Sequence, residues 1–199
     1  MLKNFLNSRA FLLTSLAAFI AAATALSPRT KSFVEAATDS RSPRAMSLSQ
    51  QWIVVSVADG DTITVRRGNE RKKIRFCGID SPEIKHGKQP GQPFGNEAKE
   101  KLRSLVATAK NQVIIIPVEN DRYGRTIAEV MANGKGGVEV SFQEEMLKSG
   151  LAYYYKQYAS NCPNHLAFEQ AEKIAIASRA GVWSNPNLEK PWEYRRRYK

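Results

Sequence analysis

Histidine and cysteine are scarce in this 199-residue chain, with two of each. His86 and His165 stand alone, and neither has a cysteine beside it, so no His/Cys cluster is present and zinc is disfavoured. Long apolar runs are missing too. The most apolar stretch, 11–20, is interrupted by Thr14 and Ser15. It falls short of the ~20 residues that a membrane span needs. No internal repeat is apparent, which argues against an array architecture. Acidic residues are few: 19 Asp and Glu face 30 Lys and Arg, for a net charge of +11. Residues 1–45 hold six basic and two acidic side chains, so +7 remains on the rest of the chain. A body that is basic in its own right favours polyanionic partners: nucleic acid, anionic lipid or acidic polysaccharide.

The first 25 residues have the pattern of an export signal. Lys3 and Arg9 precede the apolar stretch, and Ala23-Thr24-Ala25 fits a small-residue cleavage site. An uncleaved anchor is the alternative, which the short apolar run disfavours. With no cysteine near the cleavage region, a lipid-linked form is disfavoured. Residues 26–50 are rich in Ser, Arg, Ala and Thr without periodicity and are expected to form a disordered linker. Export would permit a disulfide between Cys77 and Cys162, but the sequence leaves their pairing open.

The body alternates short strands with helices. Residues 52–57 and 62–66 are β-rich, and Asp59-Gly60-Asp61 between them is a turn signal. A turn at Arg67-Gly68-Asn69-Glu70 leads to a third predicted strand, 73–79. Residues 89–95 form a loop with two Pro and two Gly. Asn96 is the expected N-cap of a helix whose apolar positions are Ala98, Leu102, Leu105, Val106 and Ala109. Strands are predicted at 112–118, apolar on both faces, and at 125–131. Helices are predicted at 142–148, with Gly150 following it, and at 164–180, stopped by Gly181. Trp183 is expected to pack back on the core. Three strands, a helix, two strands and two helices suit a five-stranded OB-fold barrel with about three helices, in the α+β class. An open α+β sheet is the alternative.

The stretch 59–83 carries most of the chemistry. In a hairpin the start of one strand lies beside the end of its partner, so Asp61 and Asp80 are predicted neighbours. Strand parity puts Arg75, Cys77 and Ile79 on one face, with Ile74 and Phe76 on the other. Pro82 keeps Ser81 extended, and Glu83 follows one turn away. Adjacent carboxylates repel unless a cation separates them. A hard divalent ion with oxygen ligands fits, and the Ser81 carbonyl is the nearest backbone donor. Asp59 is assigned to the turn. A second arginine, in Asp121-Arg122-Tyr123-Gly124-Arg125, could complete a phosphate site.

On these residues the chain resembles the thermonuclease family, the staphylococcal-nuclease-like domain, over residues 50–184. The matching segments are Val57-Ala58-Asp59-Gly60-Asp61-Thr62, Arg75-Phe76-Cys77-Gly78-Ile79-Asp80-Ser81-Pro82-Glu83 and Asp121-Arg122-Tyr123-Gly124-Arg125. Phe94-Gly95-Asn96-Glu97-Ala98, Gly150-Leu151-Ala152 and Gly181-Val182-Trp183 support them. The resemblance implies an exported, Ca²⁺-dependent nuclease that cleaves DNA and RNA at P–O5′ to leave 3′-phosphates. It implies Asp61, Asp80 and the Ser81 carbonyl as Ca²⁺ ligands, with Ser81 where the family usually has Thr. It implies Glu83 as general base, and Arg75 and Arg125 as a phosphate clamp. Arg122, Tyr123, Tyr153 and Tyr155 are the expected contacts to single-stranded or locally open nucleic acid, by charge and stacking. No stable protein partner is implied and a monomer is expected. A noncatalytic nucleic-acid-binding barrel is the rival, but a binder has no need of the full set of carboxylates and arginines. Residues 185–199 are expected to be a solvated basic tail with Trp192 docked on the body; phosphate tracking is the alternative.

Overall fold

Strand β1 (Gln50–Val57), β2 (Thr62–Arg67) and β3 (Glu70–Phe76) form the predicted meander, because short turns allow only antiparallel neighbours. In this computed structural model, which describes residues 50–198, β1 also pairs with β5 (Gln112–Asn120), and β5 pairs with β6 (Thr126–Asn133). A parallel pairing of β3 with β6 closes the barrel, with Arg75 opposite Ile127. Strand β7 (Glu139–Ser141) adds to the free side of β6. Alternation fills the interior: Ile63 and Val65 from β2, Ile74 and Phe76 from β3, and Ala128 and Val130 from β6 are all buried. The closed five-stranded barrel with helices agrees with the expected fold class.

Helix α1 (Gly95–Thr108) buries Ala98, Leu102 and Val106 along one stripe. Helix α2 (Phe142–Lys148) has the predicted bounds; the Glu144 N–H donates to its cap, Ser141, at 3.3 Å. The Gln143 side chain is buried and bonds β6 twice, donating to the Ala128 carbonyl and accepting the Val130 N–H. Beyond it come β8 (Tyr153–Tyr154), the single turn α3 (Lys156–Ala159), α4 (His165–Ser178) and α5 (Pro191–Arg197). Among the described residues no helix is long and apolar enough to cross a membrane. The predicted signal at 1–25 lies outside the described residues, as does the linker up to residue 49; residue 50 already belongs to β1.

Several expectations change. The third strand is not continuous to Ile79. Gly78 adopts φ +71°, which breaks the pleat, and Ile79–Asp80 becomes a separate strand, β4, paired with β8. Strand parity therefore ends at Phe76, and Cys77 and Ile79 are both buried instead of sharing the side of Arg75. Cys77 pairs with Cys162, with Cα atoms 6.0 Å apart, which settles the pairing that the sequence left open. Asn96 is not the cap of α1. The cap position is Phe94, at φ +68°, and the helix opens at Gly95, where a Cβ would stand 2.3 Å from the Glu83 carbonyl oxygen. Close backbone approach thus sets this helix start. In β5 only alternate residues are deeply buried: Val113 and Ile115 face inward, while Ile114 and Ile116 are half-buried. Helix α4 ends two residues early, with Arg179 in the left-handed region. Residues 191–197 form a helix, not a solvated tail, and Pro191 and Tyr194 are buried.

Candidate active site

The β2–β3 register places Thr62 opposite Arg75, so Asp61 arrives beside the arginine. Asp61 is buried, and its backbone N–H donates to Asp59 Oδ1 at 3.1 Å, the expected turn role for Asp59. Arg75 bridges the two aspartates: Nη1 donates to Asp61 Oδ1, and Nη2 to Asp80 Oδ1. The Thr62 hydroxyl donates to Asp61 Oδ1 at 3.1 Å, and the Ser81 N–H donates to Asp61 Oδ2 at 2.7 Å. Asp61 and Asp80 are therefore neighbours through a shared guanidinium. Burial pushes the Asp61 carboxyl well above its usual range, and Arg75 and the Ser81 N–H offset only part of that. For Arg75 burial pulls downward, but Asp61 and Asp80 outweigh it and hold the guanidinium above its ordinary value.

Glu83 sits at the rim. Gln92 grips its backbone from both sides: its side-chain Oε1 accepts the Glu83 N–H at 3.0 Å, and its N–H donates to the Glu83 carbonyl at 2.8 Å. The carboxylate points to the cleft and is partly exposed. Arg125 precedes β6, and the β3–β6 pairing brings it to the cleft that Arg75 lines. Asp121 orients it, accepting its backbone N–H at 2.9 Å and its Nε at 2.6 Å. These bonds overcome the cost of burying Asp121 and hold its carboxyl below the ordinary value.

The cleft has a volume of about 1190 Å³, and Arg75, Glu83, Arg122, Tyr123, Arg125 and Tyr155 all line it. Tyr123 is 68% exposed beneath the Arg122 and Arg125 guanidinium groups. Tyr155 stacks on Trp192, with centroids 4.8 Å apart. Tyr153 does not reach this surface. It is 2% exposed and packs edge-on against Trp183 and Trp192, so its ring has no face for a nucleotide. It belongs to the packing that seats Trp183 on the body.

The donor set is oxygen only. Among the described residues, no three His, Cys, Asp or Glu side chains stand close enough to cage a metal by themselves. Two buried carboxylates nonetheless meet at one point, and every side-chain charge bonded to Asp80 is a cation. The guanidinium groups act as stand-in cations there. Such a site fits a hard divalent ion that keeps water and backbone ligands, and it does not fit zinc.

A profile of staphylococcal nuclease homologues matches residues 73–185. The chain belongs to this family. Its relatives include the micrococcal nuclease of Shigella flexneri, 35% identical over 72% of this chain and 79% of that protein. The thermonuclease of Staphylococcus hyicus is 36% identical over 68% of this chain and 77% of that one. A staphylococcal-like nuclease of Arabidopsis thaliana is 37% identical over 62% of this chain, which spans 33% of its length. The profile match takes in Arg75, Asp80, Ser81, Glu83 and Arg125, and ends before α5 begins.

Sequence reasoning missed one charged member of the site. Arg195 of α5 donates through Nη2 to Asp80 Oδ2 at 2.7 Å, and through Nη1 to Glu83 Oε1 at 2.7 Å and Asp80 Oδ1 at 3.0 Å. Its signal is the run Trp192-Glu193-Tyr194-Arg195: Trp192 docks on the body as expected, and the arginine one turn on, expected in a solvated tail, follows it inward.

Proposed function

We propose that this chain is a Ca²⁺-dependent, sugar-nonspecific nuclease that hydrolyses phosphodiester bonds of DNA and RNA, cleaving P–O5′ and leaving 3′-phosphates. The observation that carries the reading is one cleft in which Arg75, Arg125 and Glu83 face together, above the buried pair Asp61 and Asp80. Fork-shaped guanidinium groups suit phosphoryl oxygens, and fixed positive charge aimed at a pentacoordinate phosphorane lowers its energy more than that of the ground state. Arg75 and Arg125 are both held by carboxylates, so they meet substrate already oriented. Glu83, anchored by Gln92, takes the proton from the attacking water. Asp61, Asp80 and the Ser81 backbone would hold Ca²⁺. When bound, the ion supplies positive charge on a phosphoryl oxygen and eases formation of the nucleophile.

Tyr123 supplies an exposed ring beside the arginines, which suits unstacked bases of single-stranded or locally open substrate; Tyr155 lines the same cleft under Trp192. The relatives' names, micrococcal nuclease and thermonuclease, support the nuclease reading. The Cys77–Cys162 disulfide supports an oxidising compartment, and with the N-terminal pattern it supports export.

The test is degradation of single-stranded DNA and of RNA by the purified protein with Ca²⁺, followed by addition of chelator. Cleavage that stops on chelation and leaves 3′-phosphate ends is the expected result. Cleavage that persists in chelator would overturn the calcium assignment, and binding without cleavage would favour the noncatalytic barrel.

A further inference from the structure

Helix α5 is fastened to the site from several directions. The Tyr194 hydroxyl donates to the Pro90 carbonyl, and Gln92 Nε2 donates to the Glu189 carbonyl at 2.8 Å. Gln92 thus holds both Glu83 and the approach to α5. Lys190, at the head of the helix, lies 3.9 Å from the Tyr153 ring centroid and 4.3 Å from that of Trp183. The Trp192 ring covers Tyr155 with planes 9° apart. One turn on, Arg195 reaches the carboxylates.

These contacts consume what the proposed reaction needs. Asp80 Oδ1 accepts from Arg75 and Arg195, and Oδ2 accepts from Arg195. Glu83 Oε1 faces the same guanidinium, where a water would have to approach. The stacked face of Tyr155 is closed to a base. Charge points the same way. Arg195 brings a second positive charge, beside that of Arg75, to the carboxylates that a divalent ion would need. A dication beside an unmoved Arg195 would be repelled at short range in a buried setting.

We propose that α5 is an intrasteric inhibitor: Arg195 occupies the Asp80 and Glu83 carboxylates in the resting protein, and Ca²⁺ and nucleic acid bind productively by displacing it. The inference rests on the functional reading above for the identity of the metal. It extends that reading by making metal affinity a property of the C-terminal helix, outside the part of the chain that matches the family. Arg195 could instead have been a third phosphate ligand, but unlike Arg75 and Arg125 it bonds Glu83 itself and so stands where the attacking water must reach the base.

The experiment is calorimetric titration of the full chain with Ca²⁺ alone, comparing the parent with Arg195→Ala, Trp192→Ala and Arg196→Ala. Arg195→Ala is expected to bind Ca²⁺ at least about tenfold more tightly, since it removes the competing cation. Trp192→Ala keeps the arginine but loosens the helix, and is expected to shift affinity in the same direction. Arg196→Ala removes an exposed charge from the same helix and is expected to change affinity by less than about threefold, which separates displacement from general charge. Unchanged or weaker Ca²⁺ binding in Arg195→Ala, with circular dichroism showing a folded protein, overturns the proposal. So does an equal gain in Arg196→Ala, or no Ca²⁺ binding by any form. Because the titration contains no nucleic acid, a protein that binds Ca²⁺ in this pattern but cleaves nothing would overturn the nuclease reading and leave the displacement intact.

Discussion

Ser81 donates its backbone N–H to Asp61 Oδ2 at 2.7 Å, tying the turn after β1 to the strand end that carries Asp80. The two meet across Gly60, where an added Cβ would lie 2.7 Å from both Ser81 Cβ and Ala98 Cβ. Gly60→Ala is therefore expected to destabilise the fold by about 1–3 kcal/mol through overpacking. It should also weaken Ca²⁺ binding, because Ser81 and Asp61 move apart. Urea denaturation and Ca²⁺ titration of the same variant check both effects; parent-like values in both would contradict the packing argument.

Glu83→Gln keeps the size of the side chain and its ability to accept a bond from Arg195, but it is a far weaker base. Turnover is expected to fall by ~10²–10⁴-fold while nucleotide binding is retained. Single-turnover cleavage and an equilibrium binding assay separate the two. Cleavage at the parent rate would remove Glu83 from the role of base.

The Cys77–Cys162 bridge closes a loop of 85 residues and lies three residues before Asp80. The doubly substituted Cys77→Ala, Cys162→Ala protein is expected to lose roughly 2–5 kcal/mol of stability. Reduction of the parent should have the same effect. Chemical denaturation with and without reductant measures it, and an unchanged midpoint in reductant would show that the bridge does not constrain the unfolded chain.

Glu129 is buried in β6 and accepts from Asn164 twice, from its backbone N–H at 2.7 Å and from Nδ2 at 2.6 Å. Burial pushes its carboxyl above the ordinary value of 4.5, and the Asn164 bonds offset only part of that. The folded state thus holds this proton more tightly than the unfolded state. Its contribution to stability is complete below pH 4.5 and is lost as pH rises through the folded value. Denaturation of the parent and of Glu129→Gln from pH 4.5 to 8 should show the variant gaining on the parent as pH rises. A constant difference across that range would contradict the assignment.

Local patterns made most of the barrel legible. Period-two burial in β2 and β3, the turn at Gly68 and the apolar stripe of α1 all follow from near neighbours in sequence. So does the meeting of Asp61 with Arg75, because one hairpin register dictates it. The break at Gly78 was hidden, since a glycine in a β-rich run is equally compatible with a continuous strand. Asn96 was misleading for a related reason. Its capping preference is local, whereas the helix start is set by contact with the Glu83 carbonyl from another segment. Tyr153 and Tyr155 are two residues apart and alike in sequence, yet one ring is sealed between tryptophans and the other opens on the cleft.

By itself the sequence determined the order of elements, the basic charge and the residues of the 59–83 hairpin, because spacing and side-chain chemistry carry these without knowledge of distant contacts. Only the tertiary structure decided that β3 meets β6, that Cys77 meets Cys162, and that Arg195 lies on Asp80 and Glu83. Each joins segments far apart in the chain, and no local preference encodes a contact whose partner arrives from the other side of the fold. Arg195 is 115 residues from Asp80. Its basic run suits solvent as well as it suits a buried carboxylate, and the packing of Trp192 and Tyr194 is what directs it inward.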